Sequence, residues 1–268
     1  MGGLKLGIDF TGGTLLEVTF SNKEITMQKF SEIFQENLGK EKGEKIITTE
    51  NGFIVRSRQI NVKDQEIFFE KLKAEDNSLE IKRTTSIGPT VGNIFKKNAI
   101  KALLIAIIAI VAFIAFSFRR VPKNISSFKF SLAAILALVH DVLLTVGFFA
   151  FLGLSFEVEI DGLFITALLT VMGFSVHDTI VVFDRIRENL KGRKTKRFAE
   201  IAEKSLWQTM TRSINTSLST LIVLIALMLL GSETLYFFLL ALIVGISAGT
   251  YSSIFLAVPL LVSWEKKK

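Results

Sequence analysis

Gly162-Leu163-Phe164-Ile165-Thr166-Ala167-Leu168-Leu169-Thr170-Val171-Met172-Gly173-Phe174-Ser175-Val176-His177-Asp178-Thr179-Ile180-Val181-Val182-Phe183 is an apolar run long enough to cross a bilayer, with a His-Asp pair deep inside it. An ionised Asp at the centre of a spanning helix costs roughly 2.5–3.5 kcal/mol on insertion scales. Such a group is either kept for a function or satisfied by helix packing. Outward from this run the chain stays apolar: half of its residues are hydrophobic, and Ala102 to Phe118 carries no charge. That composition excludes a soluble globular protein. The net charge of +7 is not gathered into one arginine-rich face, so nucleic acid is not an expected partner. No cysteine is present, which removes disulfides and thiolate metal sites.

The chain divides near Asn98. Before it, apolar residues are interleaved with charged ones, as in a small soluble domain, 1–98. Thr14 to Phe20 alternates with period two after Gly12-Gly13, which predicts a strand. Ile25, Met27, Phe30, Ile33, Phe34 and Leu38 recur at helical spacing between Glu24 and Leu38, with Gly39 as a stop. Lys45–Thr49 and Phe53–Ser57 flank Asn51-Gly52, a hairpin signal. A second helix at Asp64–Ala74 and a strand at Leu79–Thr85 complete a β-α-β-β-α-β order. The order predicts an α+β ferredoxin-like sandwich. Gly12-Gly13 lacks the Lys-Ser/Thr of a phosphate loop, so a turn is the better reading.

After Asn98, five apolar segments predict an α-helical polytopic membrane domain, 99–268, with spans at about 99–118, 128–152, 162–183, 213–230 and 235–264. Basic residues follow the first (Arg119, Arg120, Lys123, Lys129), the third (Arg185, Arg187, Lys191, Arg193, Lys194, Lys196, Arg197, Lys204) and the fifth (Lys266, Lys267, Lys268). By the positive-inside rule these regions are cytoplasmic. Ser155–Asp161 and Gly231–Thr234 carry only acids and are expected outside, which puts the N-terminal domain outside as well. A domain of that size needs an upstream helix to carry it across, so a first transmembrane helix is expected beyond this sequence.

Four blocks of this sequence resemble a known family: Gly7-Ile8-Asp9-Phe10-Thr11-Gly12-Gly13-Thr14; Ser86-Ile87-Gly88-Pro89-Thr90-Val91-Gly92; His140-Asp141-Val142; and Gly173 to Asn189. They are similar, in order and over essentially the whole chain, to the SecF family of protein-export membrane proteins in the resistance-nodulation-division superfamily. The resemblance implies six helices flanking one extracytoplasmic domain, with the expected upstream helix as the first of them. It implies a subunit of a proton-motive-force-driven complex in the bacterial inner membrane, assisting Sec-dependent translocation. Its partners would be a SecD-like subunit, the Sec translocon, the translocating polypeptide and membrane lipid, with no cofactor, metal or enzymatic reaction.

By the same resemblance Asp178 is the transmembrane carboxylate and Arg212 its partner on the next helix. Asp178 lies roughly 10 Å of helix rise from Arg185, and Arg212 opens the following apolar segment at that same end, with a side chain long enough to reach inward. A cation nearby favours the ionised carboxylate and a dry surrounding the neutral one, so protonation would change when the partner moves. Arg212 also reads as an interfacial anchor, although Asn215, Thr216 and Ser219 continue its face as a polar stripe. His177 stands where the resembled family usually has Asn; it either shares the proton or replaces an amide hydrogen bond. Asp141 is a second intramembrane carboxylate that belongs to the relay or holds helices together. Asp184 reads as a solvated charge paired with Arg185 or Arg187. Gly245-Ile246-Ser247-Ala248-Gly249 offers a small face for close packing.

Competing readings are an intramembrane aspartyl hydrolase built on Asp141 and Asp178, a non-conducting scaffold of the translocon, and another proton-coupled exporter of the same superfamily.

Overall fold

The computed structural model describes residues 3–21, 25–38, 45–49, 51–119, 126–191 and 197–265. Gly39 and the basic residues Arg120, Lys123, Arg193, Lys194, Lys196 and Lys266 to Lys268 lie outside the described residues, as does Glu24. Contacts divide the chain into Leu6–Ala99 and a unit combining Met1–Lys5 with Ile100–Lys268.

In chain order the first elements are β1 (Lys5–Leu6), α1 (Ile8–Thr11), β2 (Gly13–Phe20), α2 (Met27–Asn37), β3 (Lys45–Thr49), β4 (Gly52–Ser57), α3 (Val62–Glu75) and β5 (Leu79–Ile87). β2 to β5 form one antiparallel sheet in the order β3-β4-β2-β5, the strand order of a ferredoxin-like sandwich. The alternation of β2 turns Leu16, Val18 and Phe20 into the core, where α2 and α3 supply Phe30, Phe34, Phe68 and Leu72. Phe30 stacks on Phe53 at 4.3 Å and meets Phe68 edge-on at 5.8 Å. Thr26 caps α2 by accepting from the Lys29 N–H.

Gly12 and Gly13 turn the chain from α1 into β2 with φ of 73° and 132°, values that disfavour any side chain. A Cβ on Gly12 would fall 2.8 Å from Pro89 Cα, and one on Gly92 would fall 2.7 Å from the Gly12 nitrogen. The two glycine-bearing blocks therefore pack backbone to backbone, which accounts for Gly12-Gly13 without a phosphate.

The remaining elements are α4 (Pro89–Ser117), α5 (Ser127–Ser155), β6 (Glu159–Ile160), α6 (Gly162–Lys191), α7 (Phe198–Leu230), α8 (Tyr236–Ser252) and α9 (Val258–Glu265), with a 3₁₀ turn at Glu233–Leu235. A π-helical turn, Ser253–Ala257, joins α8 to α9, so Tyr236–Glu265 forms one span. Pro259 stands just beyond it and has no N–H to give the preceding turn, which favours a local change of hydrogen-bond register. Among the described residues, five helices are long and apolar enough to cross a membrane. Each extends beyond its apolar segment: α4 begins at Pro89, ahead of the 99–118 window, and α6 continues through charged residues to Lys191.

α6 and the last span are about half buried, whereas α4 and α7 are largely exposed. α6 and α8 touch closely because Gly245 and Gly249 face Val171 and Ser175. A Cβ on Gly245 would lie 2.3 Å from Val171 Cγ2, and one on Gly249 would lie 3.0 Å from Ser175 Cβ. The end of α4, the start of α5 and the body of α6 meet in an aromatic cluster of Phe118, Phe130 and Phe183, with centroids 5.3–5.8 Å apart. That cluster gathers Arg119, Lys129 and Arg185 toward one end of the bundle. There Lys129 reaches Glu265 at 2.7 Å and the Trp264 carbonyl at 2.8 Å.

Candidate functional site

The polar centre of the membrane unit is built on α5, α6, α7 and α8, and it holds two carboxyl groups. Asp141 on α5 is fully buried. Its Oδ2 accepts from Ser175 of α6 at 2.5 Å and from Ser252 of α8 at 2.7 Å; its Oδ1 lies 3.0 Å from Nδ1 of His140. Ser252 ends α8 directly before the π-helical turn. Gly249, one turn earlier, leaves the room: its Cβ would come within 3.6 Å of Asp141 Oδ2.

Asp178, one helical turn beyond Ser175 on α6, is 2% exposed. Ser217 of α7 donates toward its Oδ2 at 3.4 Å, and Thr250 of α8 donates to Ser217 at 2.6 Å. Asp178 thus faces a pair of hydroxyls. Among the described residues no hydrogen bond joins Asp141 to Asp178, and no group of three metal-ligating side chains is found. The shared hydrogen bond that an aspartyl dyad requires is not formed.

Arg212 lies on the exposed side of α7 and lines a cleft of ≈ 480 Å³ between α6 and α7, together with Val181, Asp184, Arg185, Gln208 and Thr209. Among the described residues no ion pair joins it to Asp178, whose near side is occupied by Ser217. The two face different ways because Asp178 points into the bundle and Arg212 stands about 100° round α7 from the buried Ser213. His177 is exposed on the outward face of α6, one residue and about 100° from Asp178. Asp184 pairs with Arg187, and Arg185 with Glu188 at 2.6 Å.

Sequence reasoning missed Ser175, Ser217, Thr250 and Ser252, the hydroxyls that hold the two carboxyls. Their signal was spacing: Ser175 stands three residues before Asp178, and Thr250 and Ser252 follow the small face of α8.

Residues 67–267 match the family described as protein export membrane protein SecD/SecF, C-terminal, and residues 2–24 match the SecD/SecF GG motif. The chain belongs to the SecD/SecF family of protein-export membrane proteins. Within that family it is 44% identical to the protein translocase subunit SecF of Thermobaculum terrenum, over 99% of this chain and 86% of that protein. It is 36% identical to the protein translocase subunit SecDF of Bacillus subtilis, over 99% of this chain but 35% of the longer protein. The crystal structure of SecDF from Thermus thermophilus, a translocon-associated membrane protein, superposes with a TM-score of 0.79 at 34% identity, covering 98% of this chain and 35% of that one. The small α+β unit with its polytopic helices is accordingly a SecD/SecF fold, and the chain is a multi-pass membrane protein.

Proposed function

We propose that this chain is a subunit of a proton-motive-force-driven accessory complex that assists Sec-dependent protein translocation across the bacterial inner membrane, with proton transfer at Asp178 assisted by Arg212. The observation that carries this reading is the setting of Asp178, a carboxyl buried in a spanning helix and facing hydroxyls rather than a cation. Ser217 can donate to a carboxylate or accept from a carboxylic acid, so both protonation states have a partner. Each proton crossing releases roughly 2.3 kcal/mol per 100 mV, enough to bias a conformational equilibrium of a few kcal/mol. Arg212 is the mobile counter-charge: it waits at the cleft and favours the carboxylate when the helices bring it inward. Asp141 keeps α5, α6 and α8 in place, and His177 modulates the field from outside the cluster.

A SecD-like subunit is the partner that the exposed faces require. Thr166, Thr170, Gly173 and His177 on α6, and Arg212, Asn215, Thr216 and Ser219 on α7, are all exposed on membrane-spanning helices. The titratable, charged and amide groups among them, His177, Arg212 and Asn215, favour a protein or water surface over lipid, whereas the hydroxyls of Thr166, Thr170 and Ser219 bond back to carbonyls of their own helices. The SecDF relatives join a region like this chain to a longer protein, which supports a SecD-like partner, and the translocon-associated SecDF structure motivates the Sec translocon and the translocating polypeptide as further partners. Lipid covers the apolar faces of α4 and α5. Arg119, Lys129, Arg185, Arg187 and Lys191 near one end of the bundle favour a cytoplasmic placement of that end and an extracytoplasmic Leu6–Ala99.

The test is proton-motive-force-dependent export into inverted membrane vesicles containing this chain and its SecD-like partner. Asp178→Asn is expected to assemble and lose the stimulation. Unchanged stimulation would leave Asp178 a structural residue and favour a non-conducting scaffold.

A further inference from the structure

Along α7, Ser205, Thr209, Ser213 and Ser217 recur every fourth residue and so share one face of the helix. All four are buried, with exposures of 0, 7, 2 and 2%. Polar groups stand at both ends of the stripe: Asn189 donates to Ser205 at 2.8 Å, and Ser217 lies against Asp178. Ser205 and Thr209 bond back to the carbonyls of Ile201 and Ser205, and Ser217 to the carboxyl. Ser213 differs. Its hydroxyl is buried without a hydrogen-bond partner among the described residues, although a serine in a helix can turn to the carbonyl four residues back. A hydroxyl left dry in this way is disfavoured, and the position calls for a ligand.

Adjacent positions of the stripe are separated by about 6 Å of helix rise. That is too long for a direct hydrogen bond and close to two successive bonds of about 2.8 Å through one water. Thr209 also lines the open cleft between α6 and α7, so the stripe runs from that cleft to Asp178. Arg212 is next to Ser213 in sequence but about 100° round the helix, at the cleft and not in the file.

We infer that the Ser213 hydroxyl joins two water molecules, one between it and Ser217 and one between it and Thr209, and that this file of hydroxyls and water is the route by which the Asp178 proton leaves for the cleft. The inference rests on the proposed proton role of Asp178. The carboxyl gives its proton to Ser217 Oγ while Ser217 passes its own proton to the first water, between Ser217 and Ser213. That water passes one to Ser213 Oγ, which hands its own proton to the second water, and the second water passes one on toward Thr209 and the cleft. One proton has moved, a carboxylate remains, and each hydroxyl keeps a proton. Thr250, donating to Ser217 at 2.6 Å, occupies one lone pair of that oxygen and leaves the other for the carboxyl.

Thr and Val share a shape and differ in the hydroxyl, so the experiment compares Ser213→Thr, Ser213→Val and Asp178→Asn in the vesicle export assay with the SecD-like partner present. Ser213→Thr is expected to keep the stimulation, and Ser213→Val to co-purify with the partner yet lose about tenfold of the stimulated rate. If Ser213→Val matches Ser213→Thr while Asp178→Asn is inactive, the file is wrong and the role of Asp178 stands. If Asp178→Asn is itself fully stimulated, the proton reading fails and the file with it. Should Ser213→Val not assemble, the absence of native cysteine permits a second measurement. Ser213→Cys should react with a small water-borne thiol reagent at least about tenfold faster than Leu224→Cys on the same helix, because the thiolate forms only where water reaches. Equal, slow reaction at both positions would overturn the water site.

Discussion

Asp141 and Asp178 are the same residue type at nearly the same burial, yet they are held very differently. Asp141 lies within 3.0 Å of three side-chain donors or potential donors from its own and two other helices, and its neighbours include Gly249, where even a Cβ would meet Ser175 Cβ at 3.0 Å. Asp178 has a 3.4 Å contact to Ser217, itself shared with Thr250. Burial alone therefore does not separate a carboxyl that builds a membrane bundle from one that works in it. Under the proposed function saturation does: a group held by several short hydrogen bonds is costly to move, whereas a loosely held one can rearrange at little cost.

The largest effect should come from emptying the tight site. Asp141→Leu leaves Ser175 without its acceptor and presses a branched side chain against Gly249, and a loss of about 3 kcal/mol in the stability of the membrane unit is expected. Thermal unfolding in detergent, followed by loss of the monodisperse peak, reads it. A variant as stable as wild type would show that the Asp141 bonds contribute little. Next comes Gly249→Val, which inserts atoms where a Cβ already meets Ser175 at 3.0 Å. It should cost about 2 kcal/mol by overpacking and should loosen α6 from α8. Unchanged stability there would mean that the α6–α8 contact adjusts freely, and the contrast between the two carboxyl sites would lose its structural basis.

Much of this arrangement could be read from residue order, for identifiable reasons. The period-two pattern of Thr14–Phe20 and the helical spacing of Ile25 to Leu38 each describe one buried face, and β2 and α2 form there. Apolar windows fall within or nearly on the five long helices but begin too late for α4 and α7 and end too early for α5 and α6. Hydropathy falls at Asp184, while the α6 backbone continues to Lys191, supported by Asp184–Arg187 and Arg185–Glu188 pairs one turn apart. α1 is four residues long, too short to show a period. The polar side of α7 was ambiguous for a different reason. Its sequence holds two stripes, Arg212-Asn215-Thr216-Ser219 and Ser205-Thr209-Ser213-Ser217, and spacing cannot say which one faces the bundle. Packing answers it: the second is buried and the first exposed. The contact of Asp178 with Ser217 follows from that rotation.

The smallest stability effect should accompany the sharpest separation of roles, when one substitution is made at both carboxyls. At Asp141 an amide can still serve: its carbonyl oxygen accepts from Ser175 and Ser252, and its nitrogen donates to His140 in the other tautomer. Asp141→Asn should therefore change stability by less than about 1 kcal/mol and leave proton-driven export largely intact. At Asp178 the amide also fits beside Ser217 and Thr250, so Asp178→Asn should be equally mild in thermal unfolding. It cannot release a proton, however, and export stimulated by the proton-motive force should disappear. Loss of stimulation in both variants would place Asp141 in the relay with Asp178. Opposite outcomes at equal stability would tie the difference in function to titration at one carboxyl and hydrogen-bonded packing at the other.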